Sequence, residues 1–112
     1  MDADKTGNVF IEPPGNHGWR LRGRSVRSSH LITDLLDLTE LHRVAQAGGM
    51  KREWFQNDAS SPHYDIAESC YAALVAAGAT PVNRHGLVAA LRRRRVAEKA
   101  AADLVATDAP QG

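Results

Sequence analysis

A single cysteine, Cys70, in 112 residues excludes an internal disulfide and a cysteine-based zinc cage. Such a chain suits a reducing compartment. Long apolar runs are missing too: none approaches the roughly 18 to 20 residues that span a bilayer. Nor does the start read as a basic segment, an apolar stretch and a small-residue cleavage site. A cytoplasmic protein with no membrane partner is the expectation. Aromatic residues are scarce at 5%, which implies a small core and leaves room for a homodimer, although no interface is visible. No G-x-G-x-x-G, Walker or H-E-x-x-H pattern occurs, so neither a nucleotide site nor a zinc protease of the usual form is supported.

What remains is ordinary globular material, 43% apolar and 24% charged, enough for one domain and too short for two. The net charge of +1 hides an uneven distribution, because eleven of the fourteen basic residues are arginine. They concentrate in "RLRGRSVR", with Arg20, Arg22, Arg24 and Arg27, and in "RRRR", Arg92 to Arg95. Guanidinium forks match phosphate and carboxylate geometry.

Residues 1–7 read as a flexible start and "NVFIE" as a strand stopped by "PPG". "GNHGWRLRGR" reads as a long loop of the kind that carries function. "SVRSSHLIT" alternates Val26, Ser28, His30 and Ile32 against Arg27, Ser29, Leu31 and Thr33, which predicts a second strand. Asp37 and Glu40 have capping-box spacing before a helix ended by "GG". "REWFQ" suggests a third strand. Asp65 and Glu68 repeat the capping spacing ahead of Ile66, Cys70, Ala73, Leu74 and Ala77, which predicts a second helix. "ATPVN" is a fourth strand, Asn83 caps a third helix, and 96–106 is a weak terminal helix or an extension of it. Residues 107–112 read as a disordered tail.

Alternation in this order predicts a single α/β domain over 8–95. Its sheet would be mostly parallel and four-stranded, in the order β-loop-β-α-β-α-β-α, with helices packed on it. Ligands of such sheets bind at the carboxyl edge, and the predicted strands end in Glu12, Thr33 with Asp34, Gln56 and Asn83. The arginine loop and the amino terminus of the second helix fall on the same edge, so an anionic ligand is expected there.

The segments "SHLITD", "ELH", "REWFQ" and "HYDIAES…AAGATPV" resemble a family of short bacterial and phage proteins known only as domain of unknown function 4031. The resemblance runs from about Val9 to Leu91. It places motif positions on His30, Asp34, Trp54, Gln56, His63, Tyr64 and Asp65 and implies a phage or actinobacterial source. The family's first strand usually ends in Asp, where this chain has Glu12, and its following loop is often shorter.

The resulting expectation is a protein that binds a phosphorylated or otherwise anionic small molecule, such as a nucleotide. Glu12, Arg20, Arg22, Arg24, His30, Asp34, Trp54, Gln56 and Tyr64 would bind it, and His63 would move a proton if there is turnover. Asp65 reads first as a helix cap. A metal would need His30, His63 and carboxylates such as Glu12, Asp34 or Asp65 to converge, a set suited to zinc, manganese or iron, and the spacing alone does not require it. The alternatives are an accessory factor that binds nucleic acid or protein through Arg92, Arg93, Arg94 and Arg95, and a phage protein that sequesters a host molecule.

Overall fold

The computed structural model describes residues 7–108. Residues 1–6 of the expected flexible start and 109–112 of the expected tail lie outside the described residues. Strand β1 (Val9–Ile11) is an apolar triplet buried on every side. It is followed by β2 (Gly15–Leu21) and β3 (Arg24–Thr33). The stretch expected to be a loop is therefore one arm of a hairpin, with a register shift between Asn16 and Arg20. Its tip is the pair Arg22 and Gly23, both at positive φ, 53° and 78°, joining the paired residues Leu21 and Arg24. Two successive left-handed residues make the tight turn whose twist matches that of the flanking strands.

Beyond the hairpin come α1 (Thr39–Ala47), β4 (Tyr64–Ala67), α2 (Tyr71–Ala76), β5 (Thr80–Pro81) and α3 (Arg84–Asp108). "REWFQ" is not a strand: Arg52–Trp54 forms a 3-10 turn, and only Gln56 pairs, through an isolated bridge to His63. "DIA" is not the start of a helix either. Tyr64–Ala67 pairs antiparallel with β3, a 3-10 turn follows at Glu68–Cys70, and the helix begins at Tyr71. Pairing with an already buried strand outweighs the local capping signal. Helix α3 runs without a break through the four arginines, so the segment 96–106 is its extension. The side chain of Asn83 caps its start by accepting the N–H of Gly86 at 2.8 Å.

The sheet is mixed and five-stranded rather than mostly parallel and four-stranded. Among the described residues three strand pairings are antiparallel and one, β1 with β5, is parallel. Ser28 pairs with both Gly15 of β2 and Ala67 of β4, and Leu31 pairs with both Ile11 of β1 and Tyr64 of β4. Strand β4 therefore holds one edge of β3, while β1 and β2 follow one another along the other. The long strand β3, not a set of crossovers, organises the sheet.

Alternation divides the residues between two layers. Val9, Ile11, Leu31, Tyr64 and Ile66 face α1 and α2 and pack with Leu41, Val44 and Leu74. Phe10 and Ile32 face the other way, against Leu87 and Ala90 of α3. At the end of α1, a Cβ on Gly48 would lie 2.6 Å from Leu74 Cδ1, so a side chain there would displace the Leu74 methyls packed between α1 and α2. No helix among the described residues is long and apolar enough to cross a membrane.

The hairpin tip gives a direct test. Arg22 holds a conformation that disfavours ordinary side chains, whereas Asn-Gly is a preferred pair for this turn. Arg22→Asn is expected to raise stability by about 0.5 to 1 kcal/mol in urea unfolding. A loss of stability would contradict the turn geometry.

Candidate metal centre

The register of β3 brings polar groups together on the α3 side of the sheet. Ile11 pairs with Leu31, so Glu12 follows beside His30, and His30 pairs with Asp65. His63 lies two residues before Asp65 and shares its face. Four chemically active side chains thus form a row across three strands, and His17 from β2 closes over it, its ring 4.8 Å from that of His30.

Glu12 is nearly fully buried, 4% exposed. A carboxylate in such a place requires partners. Its Oε2 accepts the backbone N–H of His30 at 3.1 Å, touches Nδ1 of the His30 ring and lies 3.6 Å from Nε2 of His17. With Nδ1 of His30 turned to Glu12, the other nitrogen, Nε2, faces Asp65 Oδ1 at 3.8 Å. His63 is fixed in the same sense. Its Nδ1 meets the carbonyl of Ser61 at 2.7 Å, and since a carbonyl only accepts, Nδ1 carries the proton. Nε2 of His63 then presents its lone pair, 3.5 Å from Asp65 Oδ1. Asp65 completes the pattern, because the Gln56 amide donates to its Oδ2 and leaves Oδ1 toward the histidines.

Two groups of three among the described residues place their ligand atoms within 4.8 Å of one another: Glu12, His17 and His30, and His30, His63 and Asp65. The second is the better cation site. Each of its ligands is held from behind by a different partner, Glu12 for His30, the Ser61 carbonyl for His63 and Gln56 for Asp65. Outer partners of this kind fix tautomer and orientation at metal sites. The gaps of 3.5 and 3.8 Å from the two Nε2 atoms to Asp65 Oδ1 are too long for hydrogen bonds. They lie close to the ligand separation of about 3.3 Å that a tetrahedral ion with bonds near 2.0 to 2.1 Å imposes.

The cluster opens into a cleft of about 270 Å³ whose lining includes Glu12, His17, His30, His63, Arg84 and Leu87. Arg84 stands at the amino terminus of α3, so positive charge faces the open side of the row. Of the residues expected to bind ligand, Glu12, His30 and Gln56 converge here, together with His63, the expected proton carrier. Trp54 stands nearby, in a groove that Gln56 and Asp65 also line. Tyr64 points to the opposite layer, where it is fully buried and its hydroxyl meets His42 Nδ1 at 2.8 Å. Asp34 lies at the other end of β1, bonded to Asn8 at 3.3 Å and paired with Arg93 at 3.0 Å. Arg20, Arg22 and Arg24 sit at the hairpin tip, where Arg20 donates to the Gly23 carbonyl at 2.7 Å. Six residues of β3 separate Arg24 from His30, about 20 Å at strand rise.

His17, Arg84 and the supporting carbonyl of Ser61 carry no sequence pattern that would single them out. Asp65 did carry one. "HYDI" alternates polar and apolar, the period of a strand, and that period places His63 and Asp65 on one face.

A mixed α/β domain with a histidine and carboxylate row on one sheet face is the class that fold and site define. The chain belongs to the family described as Protein of unknown function (DUF4031), which it matches over residues 9–94. That span contains every member of the row. Neither a curated protein nor a solved structure matches the chain.

Behind the row, burial and then the neighbouring Arg52 charge hold the His42 ring below its ordinary pKa of 6.5. Burial raises Tyr64 above its ordinary 10.0, Arg52 opposing it. The folded protein therefore prefers a neutral His42, and its stability falls as pH drops through about 6.5, where the unfolded chain takes up the proton first. His42→Gln is expected to lose less stability than the parent between about pH 7.5 and pH 5.5, measured by urea unfolding. An equal loss in both would show that His42 carries none of it.

Proposed function

We propose that this protein is a divalent-metal protein in which His30, His63 and Asp65 hold the ion and its free positions take the anionic group of a small phosphorylated ligand. The observation that carries the reading is that both Nε2 atoms face one carboxylate oxygen at distances that suit a shared cation better than a hydrogen bond. Charge supports it as well. Glu12 and Asp65 beside the cleft repel an anion, and a divalent ion reverses that sign. Arg84 at the cleft wall adds a second positive group.

Two histidines and one carboxylate suit zinc, iron or manganese. Three protein ligands with open positions form a catalytic arrangement rather than a closed structural one. A divalent ion held there would supply Lewis acidity and lower the pKa of a bound water. His17, outside the three ligands and 3.6 Å from Glu12, would be the neighbouring base. His63 becomes a ligand in this reading rather than the proton carrier expected from sequence.

The accessory-factor reading draws less support. Of the consecutive arginines Arg92 to Arg95, Arg93 pairs with Asp34 and the buried Arg94 pairs with Glu98 at 3.0 Å, so two of the four charges are already engaged within the protein. Four consecutive helical residues also point around the axis rather than along one face. A cytoplasmic setting, a bacterial host's in the case of a phage protein, is consistent with a free Cys70.

Calorimetric titration of the metal-free protein with zinc or cobalt is expected to show one equivalent bound. His30→Ala, His63→Ala and Asp65→Ala should each weaken it by at least about a hundredfold, and Glu12→Gln by about ten- to a hundredfold through the His30 ring. Arg22→Ala should leave affinity unchanged. Binding that survives His63→Ala and Asp65→Ala would sink the proposal.

A further inference from the structure

We infer that the groove next to the metal centre holds the base of the same ligand, so that the ligand is a nucleoside monophosphate. The inference rests on the metal-and-anion reading for its phosphate half and on separate residues for its base half. The groove, about 460 Å³, is lined by Trp19, Trp54, Met50 and Cys70, with Gln56 and Asp65 among its polar members. That volume is within the ordinary range for small-ligand sites.

Continuity joins it to the cluster. Asp65 lines both the groove and a hollow of about 320 Å³ that also contains His17, His30 and His63, and Trp19 lines both as well. A ligand with its anionic group on the ion at Asp65 Oδ1 can extend along Asp65 toward the two indoles.

The composition of the groove selects a planar ring. Both tryptophans of a chain with only 5% aromatic residues lie here, and Trp54 is 49% exposed. Exposed indole surface is costly in water and stacks well on a base. Lys51 approaches the Trp54 ring at 5.5 Å and so helps hold it in place. The sulfur atoms of Met50 and Cys70 are polarisable surfaces for a ring edge. Gln56 uses its NH₂ on Asp65 Oδ2, which leaves its carbonyl oxygen as an acceptor suited to the exocyclic amine of adenine or cytosine.

The test compares adenosine 5′-monophosphate, ribose 5-phosphate and adenosine on the full chain, with and without zinc, by calorimetry and tryptophan fluorescence. With zinc, adenosine 5′-monophosphate is expected to quench the fluorescence and to bind about ten- to a hundredfold more tightly than ribose 5-phosphate. Trp54→Ala, at an exposed position, should remove that advantage and leave ribose 5-phosphate affinity unchanged, while Trp54→Phe retains most of it. Equal affinities for the nucleotide and the sugar phosphate would overturn the base site and leave the metal-and-anion reading standing. Zinc-independent quenching by adenosine, with no gain for either phosphate from zinc, would overturn the joint site and the anion reading together while keeping the groove as a ring-binding surface.

Discussion

The candidate site depends on one register, that of β3 paired on both edges around His30. Ser28 to Leu31 meet β4 on one side, while β1 and β2 take the other in turn. Because side chains alternate, this register sends Leu31 into the core under α1 and α2 and turns His30 to the α3 side. A slip of one residue would exchange them, burying an imidazole and exposing a leucine. The same register sets Glu12 and Asp65 on either side of His30, so core packing and site assembly have a common cause. A few kcal/mol of apolar burial on one face hold a polar constellation on the other.

The constellation is built in two shells. Near the cleft, the Nε2 atoms of His30 and His63 lie 3.8 and 3.5 Å from Asp65 Oδ1. Behind them a buried carboxylate, a backbone carbonyl and a side-chain amide each fix one of those groups. Rigid strands supply most of this positioning, which is more exact than loops allow. Electrostatics separates the ligand readings. Without a cation, Glu12 and Asp65 make the row a poor host for phosphate, and with one they supply the charge that holds the ion. Arg20, Arg22 and Arg24, which suggested an anion site from sequence, sit elsewhere, at the hairpin tip.

The sequence carried much of this, though unevenly. The alternation through His30 was legible because β3 is amphipathic along its length, and β1, α1, β5 and the start of α3 were legible from apolar runs, caps and breakers. The mostly antiparallel topology was not, because β2 and β3 form a hairpin whose turn, Arg22-Gly23, is an uncommon pair for left-handed geometry. With so faint a turn signal the arm resembles a loop in sequence, and a sheet without it is one strand short. The spacing of Asp65 to Glu68 mimics a capping box, while the strand period in His63, Tyr64, Asp65 and Ile66 is equally present. Only the partner strand decides between them. Glu12, His30 and His63 could be picked as chemically able residues, but their convergence is a matter of register, which no local pattern fixes. His17 enters through a bulge with no signature in sequence.

The central claim is that His30, His63 and Asp65 share one cation. X-ray absorption at the zinc edge of the loaded protein addresses it most directly, since it reports the atoms bound to the ion. The account predicts nitrogen and oxygen neighbours at about 2.0 to 2.1 Å, no sulfur, and the outer scattering of two imidazoles, reduced to one in His63→Ala. A sulfur neighbour, or imidazole scattering that His30→Ala and His63→Ala leave unchanged, would contradict it.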